Sequence, residues 1–520
     1  MAITLRRVSH ELGLPAILHA PRDLHLIFLA RFLRMLAYGG VALVLALFFA
    51  ALSVPDARIG LFMTLTLLGD VLISLLLTLV ADALGRRRVL LLGCVCMALS
   101  GAVFALASNY WILLGAAVIG VISVSGNEIG PFRAVEESAL AGLVGEEDRS
   151  DVFAWYVVVG TFGSAVGLVG CGWVVEACKR IRGWEELDAF RIVFWLYGGI
   201  GLIKAAVTLL LTVKCEVGHE QKKAHAAEEA EESERDEFLA TPSRSSADES
   251  ERPLPPTPPK PQPPPKPRMG FTQLSTPTRW MLLKLCALFA VDSLASGMVP
   301  YSLINFYIDR KFHLPKSALG TIMSVTWIMS SIGNIFASAI SKRIGLVMTM
   351  AATHLPSAFF LALIPAPNVL WLTAVMLVGR GTLASMDQAP RSAFLSKAFA
   401  PDERTAVMGI VNVVKTLSQS GGPTVTGVLA GEGRFWIAFA VAGALKASYD
   451  VGLLTLFLKT DRAGRSSAGP PEGAVRLATR DSEDSFGNLA DEFELETDDE
   501  ASVDSDNRTG KRRDSVALAP

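Results

Sequence analysis

The chain contains 520 residues, 51% of them hydrophobic and only 19% charged, and its mean hydropathy is +0.41. Soluble proteins carry about 25% charged residues, and here the charges gather near the N-terminus, in a middle stretch and in the tail, which leaves long apolar runs between them. This distribution predicts a protein embedded in a lipid bilayer, and the formal net charge of −2 gives no basis for a nucleic-acid partner.

Twelve apolar runs follow one another along the chain. A helix of about 20 mostly apolar residues crosses the hydrocarbon core of a bilayer. The runs are too long for strands and lack strand alternation, whereas a helix satisfies its own backbone hydrogen bonds in lipid. We therefore predict an all-α membrane protein with twelve transmembrane helices. The predicted spans are Phe32–Leu52, Ile59–Val80, Val89–Leu106, Trp111–Phe132, Val152–Val175, Val193–Val213, Trp280–Ile308, Ala318–Ile340, Gly345–Ile364, Val369–Arg391, Ala406–Leu429 and Phe435–Leu458.

The short loop after the second span holds three consecutive arginines, Arg86–Arg88. Basic residues in short loops favour the cytoplasmic side, and an even number of spans places both termini on that side. The basic segments Lys179–Arg182 and Arg310–Lys316 fall on the predicted outer side and oppose this rule. We expect both termini to be cytoplasmic, while the host membrane, plasma or vacuolar and other endomembrane, stays open.

Two polar stretches divide the chain. One starts with the acidic run Glu228–Glu232 and continues into the proline-rich segment Pro253–Lys260, and the other is the acidic, serine-rich tail. Such compositions cannot bury a core and predict disorder. The predicted divisions are a cytoplasmic N-terminal segment (1–28), a six-helix bundle (29–213), a disordered cytoplasmic linker (214–278), a second six-helix bundle (279–459) and a disordered acidic cytoplasmic tail (460–520).

The two apolar halves repeat each other, because several short motifs recur in the same order. A six-span unit copied once keeps its orientation, which predicts a parallel repeat about an axis normal to the membrane. The matched positions are Pro55, Gly60 and Gly85 with Pro315, Gly320 and Gly345; Asp148–Ser150 with Glu403–Thr405; and Phe194, Trp195 and Lys204 with Phe435, Trp436 and Lys446.

The loop Asp82–Arg88 resembles the cytoplasmic loop signature of the major facilitator superfamily. The aspartate, the glycine and the basic cluster match, whereas Thr78 and Ala83 replace the family's glycine and arginine. The resemblance covers about Phe32 to Leu458, is greatest to uncharacterised fungal members, and implies the twelve-helix fold of two parallel six-helix bundles. It also implies a gating role for the loop, although the arginines can serve topology alone. The candidate gating residues are Asp82, Gly85, Arg86, Arg87 and Arg88.

Ionisable residues inside spans usually face a cavity or a partner. Spans four and ten each hold an acid, then a proline three residues later, then an arginine at or just beyond it. The family resemblance implies that spans one, four, seven and ten line a central cavity. The alternative is that these charges form interdomain salt bridges near the cytoplasmic edge. The candidate pathway and proton-coupling residues are Asp70, Glu128, Arg133, Asp292, Asp387 and Arg391, and weaker substrate-cavity candidates are Tyr38, Asn127, Arg380 and Gln388.

The other charged residues in or near the spans are expected to have structural roles. Arg31 and Arg34, near the start of span one, are expected to reach lipid headgroups. Glu136 and Glu137 are expected to lie near the cytoplasmic end. Asp450 follows Lys446 by four residues, so the two can pair on one helix face. His354 is expected to be a packing residue rather than a proton relay. These residues are therefore not placed in the pathway.

The polar segments contain candidate regulatory sites. The sequence Pro255-x-x-Pro258-x-Lys260 resembles an SH3 ligand, although a stiff solvated linker is the favoured interpretation. Serines among acidic residues or after a basic run suit protein kinases. The candidate phosphorylation sites are Ser482, Ser485, Ser505 and Ser515.

The combined interpretation is a secondary active transporter of a small solute, working by alternating access and expected to be proton-coupled. The alternative is a non-transporting membrane sensor that signals through its linker and tail. No P-loop or metal-ligand spacing is found in the sequence, so no enzymatic activity, metal or cofactor is predicted. The predicted partners are a small-molecule substrate and the lipid bilayer, with a monomeric state expected.

Overall fold

The structure is a computed structural model that describes residues 17–18, 20–120, 122, 131–215, 276–399 and 401–467. The regular secondary structure of these residues is helical. In the first half lie α1 (Arg22–Ala51), α2 (Asp56–Leu84), α3 (Arg86–Leu106), α4 (Tyr110–Ile119), α5 (Pro131–Leu143), α6 (Glu146–Arg182), α7 (Glu186–Leu209) and a 3₁₀ turn (Val213–Cys215). In the second half lie α8 (Thr276–Met298), α9 (Tyr301–Phe312), α10 (Lys316–Ile344), α11 (Leu346–Leu363), α12 (Leu370–Ser385), α13 (Gln388–Ala398), α14 (Pro401–Gly431) and α15 (Phe435–Ser467).

Each predicted span overlaps one or two of these helices, and the all-α membrane fold is confirmed. Within the described residues, seven helical segments are long and apolar enough to cross a membrane. They are Arg22–Ala51, Arg86–Leu106, Asp151–Ile181, Glu186–Leu209, Thr278–Phe312, Leu346–Leu363 and Phe435–Phe457, and Tyr110–Ile119 and Leu370–Ser385 are shorter apolar helices.

Spans seven and ten are each made of two helices. In span seven, α8 ends at Met298 and extended backbone at Pro300 starts α9. In span ten, α12 ends at Ser385 and α13 begins at Gln388, with Pro390 in its first turn, where a missing N–H costs nothing. In span four, α4 ends at Ile119 and the described part of α5 runs from Pro131. Prolines therefore lie at the starts of the second helices of spans seven and ten.

The repeated prolines and glycines have the same structural role in both halves. Pro55 and Pro315 immediately precede α2 and α10. Gly85 and Gly345 separate the next helix pairs with φ of 92° and 100°, a region that favours glycine. The motifs that recur in sequence therefore recur as helix boundaries.

The two halves meet along two equivalent helix pairs, α2 with α14 and α6 with α10. A Cβ on Gly60 would overlap the backbone of α14, and one on Gly320 would overlap the backbone of α6. Gly427 and Gly172 make the reciprocal contacts with α2 and α10. Small residues let membrane helices approach closely, and here the same approach occurs twice.

The helices that border the predicted linker and tail extend a few residues into them. Helix α8 begins at Thr276, inside the predicted linker, and α15 continues to Ser467, inside the predicted tail. The sequence after Leu458 carries no proline or glycine before Gly464, so nothing local stops the helix there. By contacts, Met1–Leu458 and Lys459–Pro520 form separate units. The kinase-site serines and the proline-rich motif lie outside the described residues.

Candidate functional site

Charged side chains of the first half converge on one carboxylate. Arg34 donates two hydrogen bonds to Glu136, from Nη1 to Oε1 at 2.8 Å and from Nη2 to Oε2 at 2.7 Å. The Tyr156 hydroxyl donates to the same Oε2 at 2.7 Å, and Lys204 Nζ lies 3.7 Å from Oε1. The Arg31 guanidinium stacks 4.4 Å above the Tyr156 ring. These five residues are called the first-half cluster.

Backbone packing makes room for this cluster. Helices α1 and α6 cross so closely that a Cβ on Gly163 would lie 2.7 Å from the Phe32 carbonyl oxygen. A Cβ on Gly160 would lie 2.6 Å from Nε of Arg31. The arginine therefore occupies space that a larger residue in α6 would fill. Glu136 is only 1% exposed, so its charge depends on the surrounding cations and hydroxyl.

Charged side chains of the second half form a more branched network. Asp292 Oδ1 accepts from Lys446 Nζ at 2.7 Å, and Oδ2 accepts from Arg391 Nη2 at 3.1 Å. Arg391 Nη2 also donates to Asp387, one turn earlier on the same span. Lys446 donates a further hydrogen bond to Ser296 Oγ at 2.8 Å. The network thus joins spans seven, ten and twelve.

A histidine extends this network to a third carboxylate. His354 Nδ1 lies 3.0 Å from both carboxylate oxygens of Asp450, and its Nε2 lies 3.7 Å from Asp292 Oδ1. His354 is 3% exposed and Asp450 is 0% exposed. The second-half cluster is defined as Asp292, His354, Asp387, Arg391, Lys446 and Asp450.

Aromatic rings border the second-half cluster. The Arg391 guanidinium lies 5.3 Å from the Phe289 ring and 5.4 Å from the Tyr449 ring. Lys415 of span eleven places its ammonium 5.9 Å from the same Phe289 ring. Rings attract cations without neutralising them, so the carboxylates remain the only groups among the described residues that balance Arg391 and Lys446.

The predicted pathway residues divide into three sets. Asp292, Asp387 and Arg391 lie together in the second-half cluster. Asp70 lies apart on α2, 6% exposed, and its Oδ1 has no hydrogen-bond partner in the described part of the chain. Arg133 is partly exposed and pairs with Glu137 at 2.6 Å. Glu128 and Asn127 lie outside the described residues.

The weaker cavity candidates are scattered. Tyr38 is half-buried on α1. The Arg380 guanidinium lies 5.5 Å from the Tyr301 ring, within the second half. Gln388 is exposed at the first residue of α13, next to buried Asp387.

The loop candidates differ in their surroundings. Arg86 is buried and donates to the carbonyl oxygens of Ser138 and Cys215, both at 3.4 Å, so it links α3 to the ends of α5 and the 3₁₀ turn. Arg87 is half-buried and Arg88 is exposed. Nothing is described for the side chain of Asp82, while Gly85 supplies the positive φ already noted.

Two predictions about other charges were wrong. Helix α1 begins at Arg22 rather than near Phe32, so Arg31 and Arg34 lie inside the bundle and do not reach headgroups. Glu136 is buried among α1, α6 and α7, on the helix α5 that continues beyond the predicted end of span four.

The second error concerns Lys446 and Asp450, which do not pair with each other. Lys446 binds Asp292 and Asp450 binds His354. The repeat had placed Lys204 and Lys446 at matching positions. From that match in the sequence, it could have been predicted that each lysine lies next to a carboxylate of its own half.

Polar contacts close the cleft between the halves at one end. Asp56 pairs with Arg310 at 2.6 Å. Lys316 lies 3.0 Å from Glu186 of the first half and 2.5 Å from Asp309 of its own half. Further contacts between the halves join Asn305 Nδ2 to the Ala42 oxygen at 2.9 Å and Thr424 Oγ1 to Thr64 Oγ1 at 2.7 Å. This end, where α2 and α10 begin, is called the closed end.

Comparison with known proteins gives consistent matches. A model of the Major Facilitator Superfamily matches residues 27–302 and 285–486. The chain is 36% identical over 445 residues to an uncharacterised membrane protein of Saccharomyces cerevisiae, YJR124C, covering 85% of this chain and 95% of the yeast protein.

Solved structures match in fold. The nucleoside transporter NupG aligns with a TM-score of 0.59 at 15% identity, covering 84% of this chain and 99% of NupG. A D-xylose–proton symporter aligns with a TM-score of 0.58 at 12% identity, covering 82% of this chain and 97% of the symporter. A solved structure described for proton-dependent oligopeptide transporters aligns with a TM-score of 0.58 at 12% identity, covering 85% of this chain and 99% of the other.

Proposed function

The chain belongs to the major facilitator superfamily, and from this premise we propose that it is a secondary active transporter, which moves a small solute by alternating access and is driven by protons. The observation that carries the proposal is Asp292, a carboxylate in the middle of span seven that binds Arg391 and Lys446 at once. Such charges inside a membrane are costly and rare, and they usually mark a solute pathway or a proton relay.

Alternating access is supported by how the halves meet. The contacts at α2–α14 and α6–α10 are related by the internal repeat, so one half can rock against the other about them. We infer that the polar contacts of the closed end hold one mouth of the pathway shut. The Asp56–Arg310 pair has a mostly exposed arginine, so breaking it costs only about 0–1 kcal/mol, which suits a state that must open and close.

Proton coupling is supported by the balance of charges around Asp292. In the present arrangement Asp292 is an anion between two cations. A proton on Asp292 removes that anion, and Arg391 then keeps Asp387 while Lys446 loses its carboxylate in a medium where an unpaired charge is costly. Lys446 must move toward another anion, such as Asp387 or an acidic group of the solute. Protonation is thereby converted into a rearrangement of spans seven, ten and twelve.

Other residues enter the proposal with different roles. Asp70 is a second candidate proton site, because it is buried and Oδ1 lacks a hydrogen bond among the described residues. Glu128 and Arg133 are proposed to line the pathway from span four, with Tyr38, Asn127, Arg380 and Gln388 as weaker solute contacts. The loop Asp82–Arg88 is proposed as a gate.

The alternative function, a sensor that signals through the linker and tail, gains no support from the comparisons. Kinase sites at Ser482, Ser485, Ser505 and Ser515, and an SH3-type contact at Pro255–Lys260, are proposed as regulatory additions to a monomeric transporter. They do not replace transport.

Transport is tested with the full-length protein in proteoliposomes loaded with the pH dye pyranine. Because proteins of like fold are named for nucleosides, D-xylose and oligopeptides, the first solutes offered are uridine, D-xylose and dialanine, followed by amino acids and organic acids. We expect one solute to move protons together with itself. The variants are Asp292→Asn and Asp387→Asn, with Asp188→Asn as control, since Asp188 is a surface carboxylate whose side chain is 54% exposed.

The two pathway variants are expected to lose solute-driven proton movement, while Asp188→Asn retains it. Solute exchange without a gradient shows that a variant is folded. If no solute moves in either direction, transport is rejected. If solute moves equally well with and without a pH gradient, transport stands and proton coupling is rejected.

A further inference from the structure

The pair His354–Asp450 lies behind Asp292 and has no part in the binding of Arg391 or Lys446. We propose that this pair is a proton relay, which takes the coupling proton from Asp292 on span seven and holds it at Asp450 on span twelve. The inference rests on the proposed proton-driven transport and adds a site to it. It contradicts the sequence-based expectation that His354 is a packing residue.

The first step of the argument concerns Asp450. Its carboxylate is completely buried, and among the described residues the hydrogen bonds it receives come from His354 alone. Lys446, one turn earlier on the same helix, points instead to Asp292 and Ser296. A buried carboxylate without a partner of opposite charge is strongly unfavourable. The pair is therefore stabilised when it accepts a proton, which it can hold either as imidazolium with carboxylate or as imidazole with carboxylic acid.

The second step concerns the other ring nitrogen. His354 Nε2 lies 3.7 Å from Asp292 Oδ1, just beyond hydrogen-bond distance. That oxygen is now bound to Lys446 at 2.7 Å. When Lys446 withdraws, a small rotation of the Asp292 carboxylate closes the gap to Nε2. The imidazole then bridges the two carboxylates. Asp292 at Nε2 faces the pathway spans, and Asp450 lies at Nδ1 on the other side of the ring.

The third step is the transfer itself. With Asp292 protonated and Nδ1–H donating to Asp450, the proton leaves Asp292 Oδ1 and forms an Nε2–H bond. The Nδ1–H bond breaks and its proton passes to a carboxylate oxygen of Asp450. The products are an anionic Asp292, a neutral imidazole of the other tautomer and a carboxylic acid at Asp450. No charge is created or lost, and Asp292 becomes free to bind Lys446 and Arg391 again.

The surroundings favour this direction. On span ten, Arg391 binds Asp292 and Asp387, so its charge disfavours a proton on Asp292. The Tyr449 ring of span twelve stands edge-on to the imidazole at 5.7 Å and excludes water. The other charged groups near the pair are Asp387 of span ten, whose charge acts on Asp450, and Lys446 of span twelve, which binds Asp292. The anion favours a proton on Asp450, and the cation disfavours a proton on Asp292.

The first measurement is nitrogen NMR of the full-length protein, labelled with ¹⁵N-histidine and reconstituted in lipid. The signal of His354 is assigned by its loss in His354→Gln. We expect a pH-dependent change of tautomer or charge at this ring in the wild-type protein. In Asp450→Asn the ring has no carboxylate to receive the Nδ1 proton, so it keeps one tautomer across the same pH range. His25→Gln is the control, because His25 is exposed near the start of α1.

The second measurement is solute-driven proton movement in the pyranine assay. We expect Asp450→Asn and His354→Gln to reduce it by about 100-fold, the lower end for removal of a positioned proton-transfer group, while solute exchange without a gradient continues. Retained exchange shows that the variants fold.

The outcomes separate the two proposals. If the wild-type protein moves solute without protons, proton coupling fails, and the relay fails with it. If the wild-type protein moves protons and both variants do so within a factor of about two, only the relay is overturned. A His354 ring that stays in one tautomer and one charge state at all pH values in the wild-type protein also overturns it.

Discussion

The first-half and second-half clusters are built on matching spans, but the signs of the charges on those spans are exchanged. In the first half, the arginine comes from span one and the carboxylate from span four, as Arg34 and Glu136. In the second half, the carboxylate comes from span seven and the arginine from span ten, as Asp292 and Arg391. The lysines of spans six and twelve occupy the same place in both. The duplication therefore preserved the positions of an ion pair while exchanging its members.

The two clusters also differ in how many places a proton can occupy. In the first half, the bonds from Arg34, Tyr156 and Lys204 all converge on Glu136. A carboxylate that accepts this many hydrogen bonds is stabilised in its ionised form, so protonation of Glu136 is unfavourable. In the second half, three carboxylates share two strong cations and a histidine. We infer that the first-half cluster holds its helices together, whereas the second-half cluster responds to protons.

The largest expected effect comes from Glu136→Gln, which leaves Arg34 and Lys204 without their anion. Removing one member of a buried ion pair costs about 3–5 kcal/mol, so thermal unfolding in lipid nanodiscs should occur at a clearly lower temperature. Glu137→Gln is the matched control on the same helix, where the carboxylate is 31% exposed and the pair with Arg133 is worth about 0–1 kcal/mol. Equal stability of the two variants would contradict a structural role for the first-half cluster.

The two equivalent lysines provide the sharpest contrast. Lys446→Met removes one of the two cations on Asp292, and we expect solute-driven proton movement to fall by about 100-fold. Lys204→Met removes a group 3.7 Å from a carboxylate that keeps Arg34 and Tyr156. Its proton movement should stay within about twofold of the wild-type value. Identical loss in both variants would show that the halves share one function.

A smaller effect is expected where the halves touch. Gly60→Ala places a Cβ against the backbone of α14, and overpacking of this kind costs about 1–3 kcal/mol. Gly199→Ala is the control, because a Cβ at that position meets nothing within 4 Å. Thermal unfolding measures both. A Gly60→Ala protein as stable as the control would argue against the close crossing of α2 and α14.

The smallest effect is expected at the closed end. Asp56→Asn breaks the pair with Arg310, whose side chain is 53% exposed, so the stability should change by less than about 1 kcal/mol. The balance between states should nevertheless move toward opening at this end. Labelling of a cysteine introduced at Asn305 by a water-soluble thiol reagent measures that shift. An unchanged labelling rate would remove Asp56 from the closure.

The sequence allowed the fold to be predicted because its signals are local. Apolar runs predict spans, and the recurrence of Gly85 at Gly345 reflects a backbone conformation that glycine favours. Proline at Pro300 and Pro390 marks where broken spans resume.

The site was predicted in part. The acid and arginine spacing led to Asp387 and Arg391, and depth in the membrane led to Asp292. The roles of Glu136, Arg34 and His354 were missed, because which helix faces which is set by packing among distant segments. Spacing along one helix suggested that Lys446 pairs with Asp450, whereas tertiary packing offered each a closer partner. The sequence is enough to identify the charged residues inside the membrane, whereas their partners depend on how the helices pack in three dimensions.

The most direct test of the difference between the halves is infrared spectroscopy of the reconstituted full-length protein. Acid-minus-alkaline difference spectra report the carboxylic acid C=O stretch of groups that gain a proton. The account predicts that Asp292→Asn or Asp450→Asn removes part of this band, whereas Glu136→Gln leaves it unchanged. A band that is lost in Glu136→Gln and retained in both second-half variants would contradict it.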